Sequence, residues 1–281
     1  MKLFVTGATG FIGSNFVKKA SQAGHTIVAQ RRPQSLKHQH IPVATWVEKE
    51  LDGDFRSALK ACDAIVHFAS HTPNPPYASL SDCTYWNVTA TMSLLEQAAE
   101  VGIERFILAG TCFEYGMSAL HFDHIPPQAP LLPQLSYPAS KAAASVAAAG
   151  LARERKLQLQ ILRIFQAYGD GETETRFWPS LRKAAFDGSD FNMSAGLQIR
   201  DFIHVNDISD AFLRALSDEE IKPGCVRIRN VASGNGTKLK DFAQLWWEKW
   251  EAKGNIIRGT VGLRQGELPR IVAEVDTYYE N

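Results

Sequence analysis

Residues 1–13 read MKLFVTGATGFIG, and this stretch decides the fold. The apolar run KLFVT has the pattern of a buried strand, and the segment after it carries a 3.6-residue apolar period as far as Gly24, which is typical of a helix. Between them, Gly7, Gly10 and Gly13 are spaced GxxGxxG. Glycines at these points let the backbone turn tightly and approach a pyrophosphate, whose charge then lies at the positive end of the helix. The stretch therefore predicts a βαβ unit that binds a dinucleotide.

The alternation of apolar strands and amphipathic helices continues along the chain. HTIVAQ, DAIVHFA, RFILAG and LQLQILRIF have the pattern of buried strands, while NVTATMSLLEQAAEVG and YPASKAAASVAAAGLARERK have that of helices. This order predicts an α/β fold with a Rossmann-type, doubly wound parallel sheet. We expect residues 1–165 to form the dinucleotide-binding domain and residues 166–281 to form a smaller α/β substrate lobe, part of which returns to the sheet.

Composition narrows the classes of partner. The 281 residues include 30 basic and 30 acidic side chains, so the net charge gives no footprint for nucleic acid or an anionic membrane. No apolar stretch approaches the roughly 18 residues that span a bilayer, and no charged leader is recognisable, so we expect a cytoplasmic protein. The four cysteines are scattered, and the pairs His38/His40 and His121/His124 lack a second ligand pair, so we predict no metal site.

The end of the second predicted strand bears on cofactor choice. The acidic residue that usually binds the ribose is missing there, and Arg31 and Arg32 stand in its place. Guanidinium groups suit a 2′-phosphate, so the sequence favours NADP(H), with NAD(H) possible. Two solvated arginines in a loop are the alternative reading.

Tyr137 and Lys141 are four residues apart at the start of the alanine-rich helix, so both lie on one face. A phenol has a reference pKa near 10, and a neighbouring cation favours the phenolate. We therefore expect Lys141 to lower the pKa of Tyr137 and to hold the nicotinamide ribose, and Tyr137 to act as general acid or base. Thr111, at the end of the strand RFILAG, would bind the substrate oxygen.

Several motifs together resemble the extended short-chain dehydrogenase/reductase family of sugar-nucleotide epimerases, dehydratases and reductases. They are TGATGFIG, HFAS, NVTAT, TCFEYG, YPASK, YGDGE, IRDFIHVNDI and LRQGELP. The resemblance implies a Rossmann domain, a C-terminal lobe that binds a nucleotide diphosphate sugar, and a homodimer. It also implies roles for particular residues. The catalytic Ser/Thr corresponds to Thr111 and the YxxxK motif to Tyr137 and Lys141.

The remaining site residues are carried over from the same family. Asn87 corresponds to an asparagine near the nicotinamide and sugar, and Arg200 and Arg264 to arginines that bind the substrate diphosphate. Gln166 stands where many relatives have an asparagine against the diphosphate, so that contact is in doubt. The resemblance adds Asn192 to the substrate residues. It adds these residues to the cofactor site: Phe11, Ile12, Phe68 and Ala69.

The residues after Thr111 select among the reactions of the family. Its 4,6-dehydratases have Asp and Glu directly after the threonine, where this chain has Cys112 and Phe113, and enzymes that act at C3 and C5 have a cysteine base at the position of Phe113. Phenylalanine cannot transfer a proton, and we expect Cys112 to be a small buried group. Glu114 would either bind a substrate hydroxyl or pair with an arginine, Arg163 or Arg176.

Of the reactions in this family, chemistry at C4 of the sugar is the one that these residues leave open. The segment MSAGLQIRDFIHVNDI is most similar to the reductases that make CDP-paratose and related deoxysugars. The sequence therefore favours NAD(P)H-dependent reduction of a nucleotide diphosphate 4-keto-6-deoxyhexose, with Tyr137 as general acid. One alternative is a nucleotide-sugar 4-epimerase with tightly bound NAD, and another is a non-catalytic dinucleotide-binding sensor or scaffold.

Overall fold

The structure is a computed structural model, and it describes residues 1–35, 41–264, 266–275 and 278–280. His38 and His40 lie outside the described residues. The strands are β1 (Lys2–Thr6), β2 (Thr26–Arg31), β3 (Thr45–Glu48), β4 (Ala64–His67), β5 (Arg105–Thr111), β6 (Gln158–Ile164), β7 (Gln166–Tyr168), β8 (Phe191–Met193), β9 (Ile199–His204), β10 (Val226–Val231), β11 (Gly236–Lys238), β12 (Ile256–Arg258), β13 (Arg270–Ile271) and β14 (Tyr278–Glu280). The helices are α1 (Phe11–Gln22), α2 (Arg56–Leu59), α3 (Leu80–Thr84), α4 (Ala90–Glu100), α5 (Ser136–Glu154), α6 (Phe177–Asp187), α7 (Val205–Leu216) and α8 (Leu239–Lys249).

The main sheet has the strand order β3-β2-β1-β4-β5-β6-β10-β14. In the described part of the chain, seven of its strands run parallel, and β14 pairs antiparallel with β10 at the edge. The chain order reverses between β1 and β4, because β2 follows β1 on one side and β4 joins it on the other. In open sheets of this kind, ligands bind at that reversal, beyond the carboxyl ends of the strands. The predicted Rossmann-type fold is confirmed.

Both faces of the sheet are covered. Alternate side chains of β1 point to opposite faces, so that Leu3 and Val5 join one core cluster and Phe4 joins the other. α1 and α7 pack on the first face, where Phe16 and Phe212 are fully buried. α2, α4 and α5 pack on the second face. This packing holds the carboxyl ends of the strands, and the turns that follow them, in a fixed arrangement.

The chain after residue 165 builds a second layer of structure and also returns to the main sheet. A small sheet has the order β11-β9-β13 with β7 beside β9, and β8 pairs with β12. β10 then joins the main sheet beside β6, and α7 packs on its first face. The aromatic stripe of α8 packs against α6: Trp247 is buried, and Trp246 and Trp250 are partly buried against the same cluster. The boundary at residue 165 stays a prediction.

Some elements differ from the sequence prediction. β3 has no clear pattern in the sequence, since TWVE is short and half-exposed. The predicted helix NVTAT begins with one π-helical turn, Tyr85–Thr89. The segment after β5 contains two short 3-10 turns, Cys112–Glu114 and Met117–His121. Among the described residues, no helix is long and apolar enough to span a bilayer.

Candidate active site

A cleft of about 680 Å³ lies along the carboxyl ends of β1, β2, β4, β5 and β6. It runs from the turn between β1 and α1 to the start of α5. Most residues predicted for the cofactor and for catalysis line it. These are Gly7, Gly10, Phe11, Ile12, Gly13, Arg31, Arg32, Phe68, Ala69, Thr111, Tyr137, Lys141 and Gln166. Asn87, Asn192, Arg200 and Arg264 do not form its wall.

The glycine turn leaves room where a side chain would otherwise stand. Gly7 has a φ of +68°, and a Cβ there would lie 2.6 Å from the backbone nitrogen of Ala69. A Cβ on Gly13 would overlap the carbonyl oxygen of Gly7. At the start of α1, Gly10 offers no side-chain cap to the amides of the first turn. Such a turn presents free N–H groups to an anion, as the pyrophosphate of a dinucleotide requires.

The end of the cleft beside β2, where the sequence predicts the adenosine end of the cofactor, carries both signs of charge. Arg31 forms an ion pair with Glu48, and its guanidinium lies 4.9 Å from the ring centre of Trp46. Arg31 and Glu48 are register partners on the adjacent parallel strands β2 and β3. Arg32 is exposed, and among the described residues no hydrogen bond or ion pair is found for its guanidinium. Glu50 lines the same end. Only one of the two predicted arginines is therefore available for a 2′-phosphate.

Tyr137 and Lys141 lie in the first two turns of α5 and face the cleft. They are 7% and 4% exposed, so both polar heads are nearly shielded from bulk water. Thr111 ends β5 on the other side of the cleft, and its Oγ1 accepts a hydrogen bond from the amide of Phe113 at 3.3 Å. The sequence spacing thus brings hydroxyl, phenol and ammonium groups to one cavity.

The electrostatics of this group differ from the expectation. Burial raises the pKa of Tyr137 above its ordinary value, and a hydrogen bond with Ser70 opposes that change. The pKa of Tyr137 thus lies on the opposite side of its ordinary value from the one expected, and the effect of Lys141 on it stays a prediction. Burial also lowers the pKa of Lys141, and the nearby Glu114 carboxylate acts in the opposite direction. Desolvation is the larger effect in both cases because neither head faces open water.

The residues after Thr111 match the chemistry expected of them. Phe113 lines the cleft, and its ring offers no proton. Cys112 is buried, and burial raises the pKa of its thiol to about 12, so it stays a neutral thiol at physiological pH. Glu114 is fully buried and pairs with Arg163, rather than with Arg176 or with a ligand in the cleft. Among the described residues, no group of histidine, cysteine and acidic side chains could hold a metal ion.

Asn87 lies beside the cleft without lining it, next to residues 70 and 71 of the cleft wall. It is buried, its Oδ1 accepts the amide of His71 at 2.7 Å, and its Nδ2 donates to Ser140 Oγ at 2.9 Å. These bonds join the loop after β4 to α5. Asn87 therefore braces the wall of the cleft, because its side chain is bonded to residues of that wall and to Ser140.

The predicted diphosphate residues are spread around one end of the cleft. Arg200 is 7% exposed, forms an ion pair with Glu267 and donates to the carbonyl of Leu268 at 2.8 Å. Asn192 is exposed on β8 and accepts a hydrogen bond from Thr260. The structure thus does not bring these residues, or the exposed Arg264, to the cleft wall.

Tyr77 links Arg264 to the site. Its ring centre lies 5.4 Å from that of Tyr137. Burial raises the pKa of Tyr77, and the charges of Arg176 and Arg264 oppose that change. Both arginines are therefore close enough to act on a phenol that stacks beside Tyr137.

The sequence analysis missed an ion pair, Arg176 with Glu172, that lines the cleft. Arg176, at the start of α6, lines the cleft and donates through Nε to Glu172 Oε1 at 3.4 Å. The Glu172 side chain is 7% exposed, and its Oε2 is buried without a hydrogen-bond partner. Burial raises the pKa of this carboxyl to about 7, although Arg176 lowers it. The i,i+4 spacing in GETETR was the available signal, but it does not reveal that the carboxylate is buried.

Comparison with known proteins agrees with this site. Residues 3–230 match the model of the NAD dependent epimerase/dehydratase family. A UDP-glucose 4-epimerase of Rhizobium meliloti (strain 1021) is 28% identical over 305 residues, which cover 98% of this chain and 89% of the relative. UDP-arabinose 4-epimerase 1 of Arabidopsis thaliana is 26% identical, over 86% of this chain and 65% of the relative. The solved structure of MoeE5 in complex with UDP-glucuronic acid and NAD has a TM-score of 0.85 and 25% identity, over 98% and 90% of the two chains.

The chain therefore belongs to the NAD dependent epimerase/dehydratase family, and the resemblance seen in its motifs is confirmed. It is an enzyme of the extended short-chain dehydrogenase/reductase type, an oxidoreductase or an epimerase.

Proposed function

We propose that this member of the family is a nucleotide-sugar 4-epimerase that retains its NAD. The observation that carries the proposal is the composition of the cleft wall around Thr111, Tyr137 and Lys141. Phe113 faces the same space and Cys112 is buried, so neither of the two residues that follow the threonine supplies an acid or base for dehydration or for chemistry at C3 or C5. The relatives named UDP-glucose 4-epimerase and UDP-arabinose 4-epimerase 1 support the epimerase in preference to the 4-ketoreductase that the sequence favours.

The described residues fit a dinucleotide. Side chains at Gly7 and Gly13 would fill the space that the turn keeps open, and the uncapped first turn of α1 suits a pyrophosphate. A nicotinamide bound along this cleft supplies a site that takes a hydride from C4 and returns it. Tyr137 would exchange the proton of the C4 hydroxyl, and Thr111 would hold the same oxygen. Lys141 would bind the ribose and, as a cation, stabilise negative charge that develops on the phenol oxygen.

The substrate diphosphate would lie at the other end of the cleft. Arg176 lines that end, and Arg264 lies near enough to influence Tyr77. A guanidinium binds two phosphate oxygens at once, so this pair suits a diphosphate. We keep Gln166, Asn192 and Arg200 as substrate residues in the proposal. Arg200 would have to leave Glu267 to serve in this way. Asn87 stays a proposed cofactor residue that acts from beside the cleft.

The 4-ketoreductase is the second candidate, and one observation favours it. Burial raises the pKa of Tyr137, which keeps the phenol protonated and ready to donate to a newly reduced C4 oxygen. Arg32 at the adenosine end would suit NADPH. A homodimer is also part of the proposal, supported by the exposed Val146 on α5 and Tyr85 in the π-helical turn. The cytoplasmic location stays a prediction.

One experiment separates the two reactions. The purified chain is denatured to measure released NAD(H) and NADP(H), and the native protein is incubated with UDP-glucose and with UDP-arabinose. The epimerase reading predicts copurified NAD and interconversion of C4 epimers, seen by NMR, with no net change in absorbance at 340 nm. The reductase reading predicts stoichiometric loss of NADPH absorbance with a CDP- or dTDP-4-keto-6-deoxyhexose. Absence of both reactions would refute chemistry at C4.

A further inference from the structure

Among the residues that the structure describes, Glu114 is the fully buried carboxylate that bonds to the backbone of Thr111. Its Oε1 accepts the backbone amide of Thr111 at 2.8 Å. Its Oε2 accepts the Ser145 hydroxyl at 2.8 Å and the Nε of Arg163 at 3.0 Å. The carboxylate thus receives three hydrogen bonds from β5, α5 and β6, which offsets the cost of burying its charge.

Ser145 identifies what this carboxylate joins. Tyr137, Lys141 and Ser145 follow one another at intervals of four residues along α5, so they share one face of the helix. One oxygen of Glu114 therefore bonds to the face that carries the phenol and the ammonium. The other oxygen bonds to the backbone of Thr111, on the opposite side of the cleft. A single side chain connects the two halves of the site.

The carboxylate itself is held in place. The Nη1 of Arg163 donates to the phenol oxygen of Tyr115 at 3.1 Å and to the carbonyl of Pro127 at 2.8 Å. Gly110 lets Glu114 approach the strand, because a Cβ there would lie 2.8 Å from Oε1. Because Arg163 is held by these bonds, Glu114 cannot turn into the cleft to bind a sugar hydroxyl without breaking a buried ion pair.

We propose that Glu114 is a positioning residue that fixes Thr111 against the face of α5 carrying Tyr137 and Lys141. The hydroxyl of Thr111 and the phenol of Tyr137 act on one substrate oxygen in the proposed function, so their separation has to be constant. Hydrogen bonds to a charged acceptor are short and stiff, which suits this task. The activity part of the claim rests on the proposed function.

The test compares three variants of the full chain with NAD bound. Glu114→Val removes both acceptors, and Glu114→Gln keeps an oxygen for the Thr111 amide. Asp218→Asn is the matched control, because Asp218 pairs with the buried Arg227 near the edge of the main sheet and its side chain is 8% exposed. We expect Glu114→Val to lower kcat about 100-fold with KM within about threefold, since misplacing a reacting group by an ångström costs about that much. Glu114→Gln should restore about tenfold of that loss.

A second readout does not depend on the substrate. The Thr111 amide has Glu114 as its acceptor, so Glu114→Val should raise its hydrogen-exchange rate about tenfold, while Asp218→Asn leaves it unchanged. Unchanged exchange at Thr111 in both Glu114 variants would overturn the proposal, as would wild-type kcat in Glu114→Val or an equal loss of kcat in the control. If the wild type converts no nucleotide sugar, the proposed function fails, and the exchange rates alone decide the role of Glu114.

Discussion

Replacing Glu172 by glutamine should stabilise the protein, and more so at alkaline than at acid pH. The side chain is 7% exposed, Oε2 has no partner, and the carboxyl pKa is raised from 4.5 to about 7. A carboxyl whose pKa is higher in the folded state than in the unfolded chain resists ionisation on folding. Well below pH 4.5, where both states are protonated, the carboxyl does not lower the free energy of unfolding. Above pH 7 it lowers that free energy by its full amount.

The size of the effect follows from the pKa change. Between 4.5 and about 7 the full cost is about 3 kcal/mol, and the favourable charge of Arg176 is already included in that value. At pH 5 the cost is below about 1 kcal/mol, so the gain from Glu172→Gln should grow by about 2.5 kcal/mol between pH 5 and pH 8. For a chain of this size that corresponds to a melting temperature difference of about 5 °C.

Thermal unfolding at pH 5 and pH 8 measures this difference. Glu174→Gln is the control, since Glu174 lies on the same loop with an exposed side chain, and it should change the melting temperature equally at both pH values. The reasoning is refuted if Glu172→Gln shifts the melting temperature by the same amount at both pH values. A loss of stability that grows toward pH 8 would refute it too, because it would mean that the ionised carboxylate is favoured by folding.

Three further predictions concern the cleft. Tyr137→Phe should lower kcat about 1000-fold while the Kd for NAD, measured by fluorescence titration, stays within about twofold; retained turnover would remove Tyr137 as the acid or base. Gly13→Ala should weaken NAD binding at least about tenfold, because the new Cβ overlaps the carbonyl of Gly7, whereas Gly150→Ala on α5 meets open space and should stabilise the chain by up to ~1 kcal/mol. Arg32→Ala should reduce affinity for NADP about tenfold and leave that for NAD unchanged; calorimetric titration with both dinucleotides checks this, and equal losses would mean that Arg32 does not face the 2′ position.

The fold and the cofactor half of the cleft could be predicted because their signals are local. The glycine triplet lies within seven residues, and Tyr137 and Lys141 are one helical turn apart. In each case secondary structure alone brings the residues together. The order of strands and helices then fixes which ends of the sheet they share.

The partners of the charged residues could not be fixed from the sequence, which leaves Arg163 and Arg176 open for Glu114, because tertiary packing determines them. Arg163 meets Glu114 across 49 residues of sequence, and Arg200 meets Glu267 across 67. Charge pattern gives the sign of a partner but not its identity. The raised pKa of Tyr137 has the same origin. Spacing places an ammonium near the phenol, but only the packed structure shows that burial is the largest effect on the pKa of each group.

Cofactor choice links the adenosine end of the cleft to the reaction. Glu48 on β3, a strand that has no clear sequence pattern, forms an ion pair with Arg31. Of Arg31 and Arg32, only Arg32 then offers an uncompensated positive charge. Glu50 lines the same end and would repel a 2′-phosphate, which carries up to about two negative charges. One free guanidinium against one carboxylate gives little net preference for NADP over NAD. A reductase must exchange its cofactor at every turnover and gains from a strong preference for the reduced NADP pool. An epimerase needs only to keep the NAD it has bound, so the balanced charge at this end fits C4 epimerisation better than reduction.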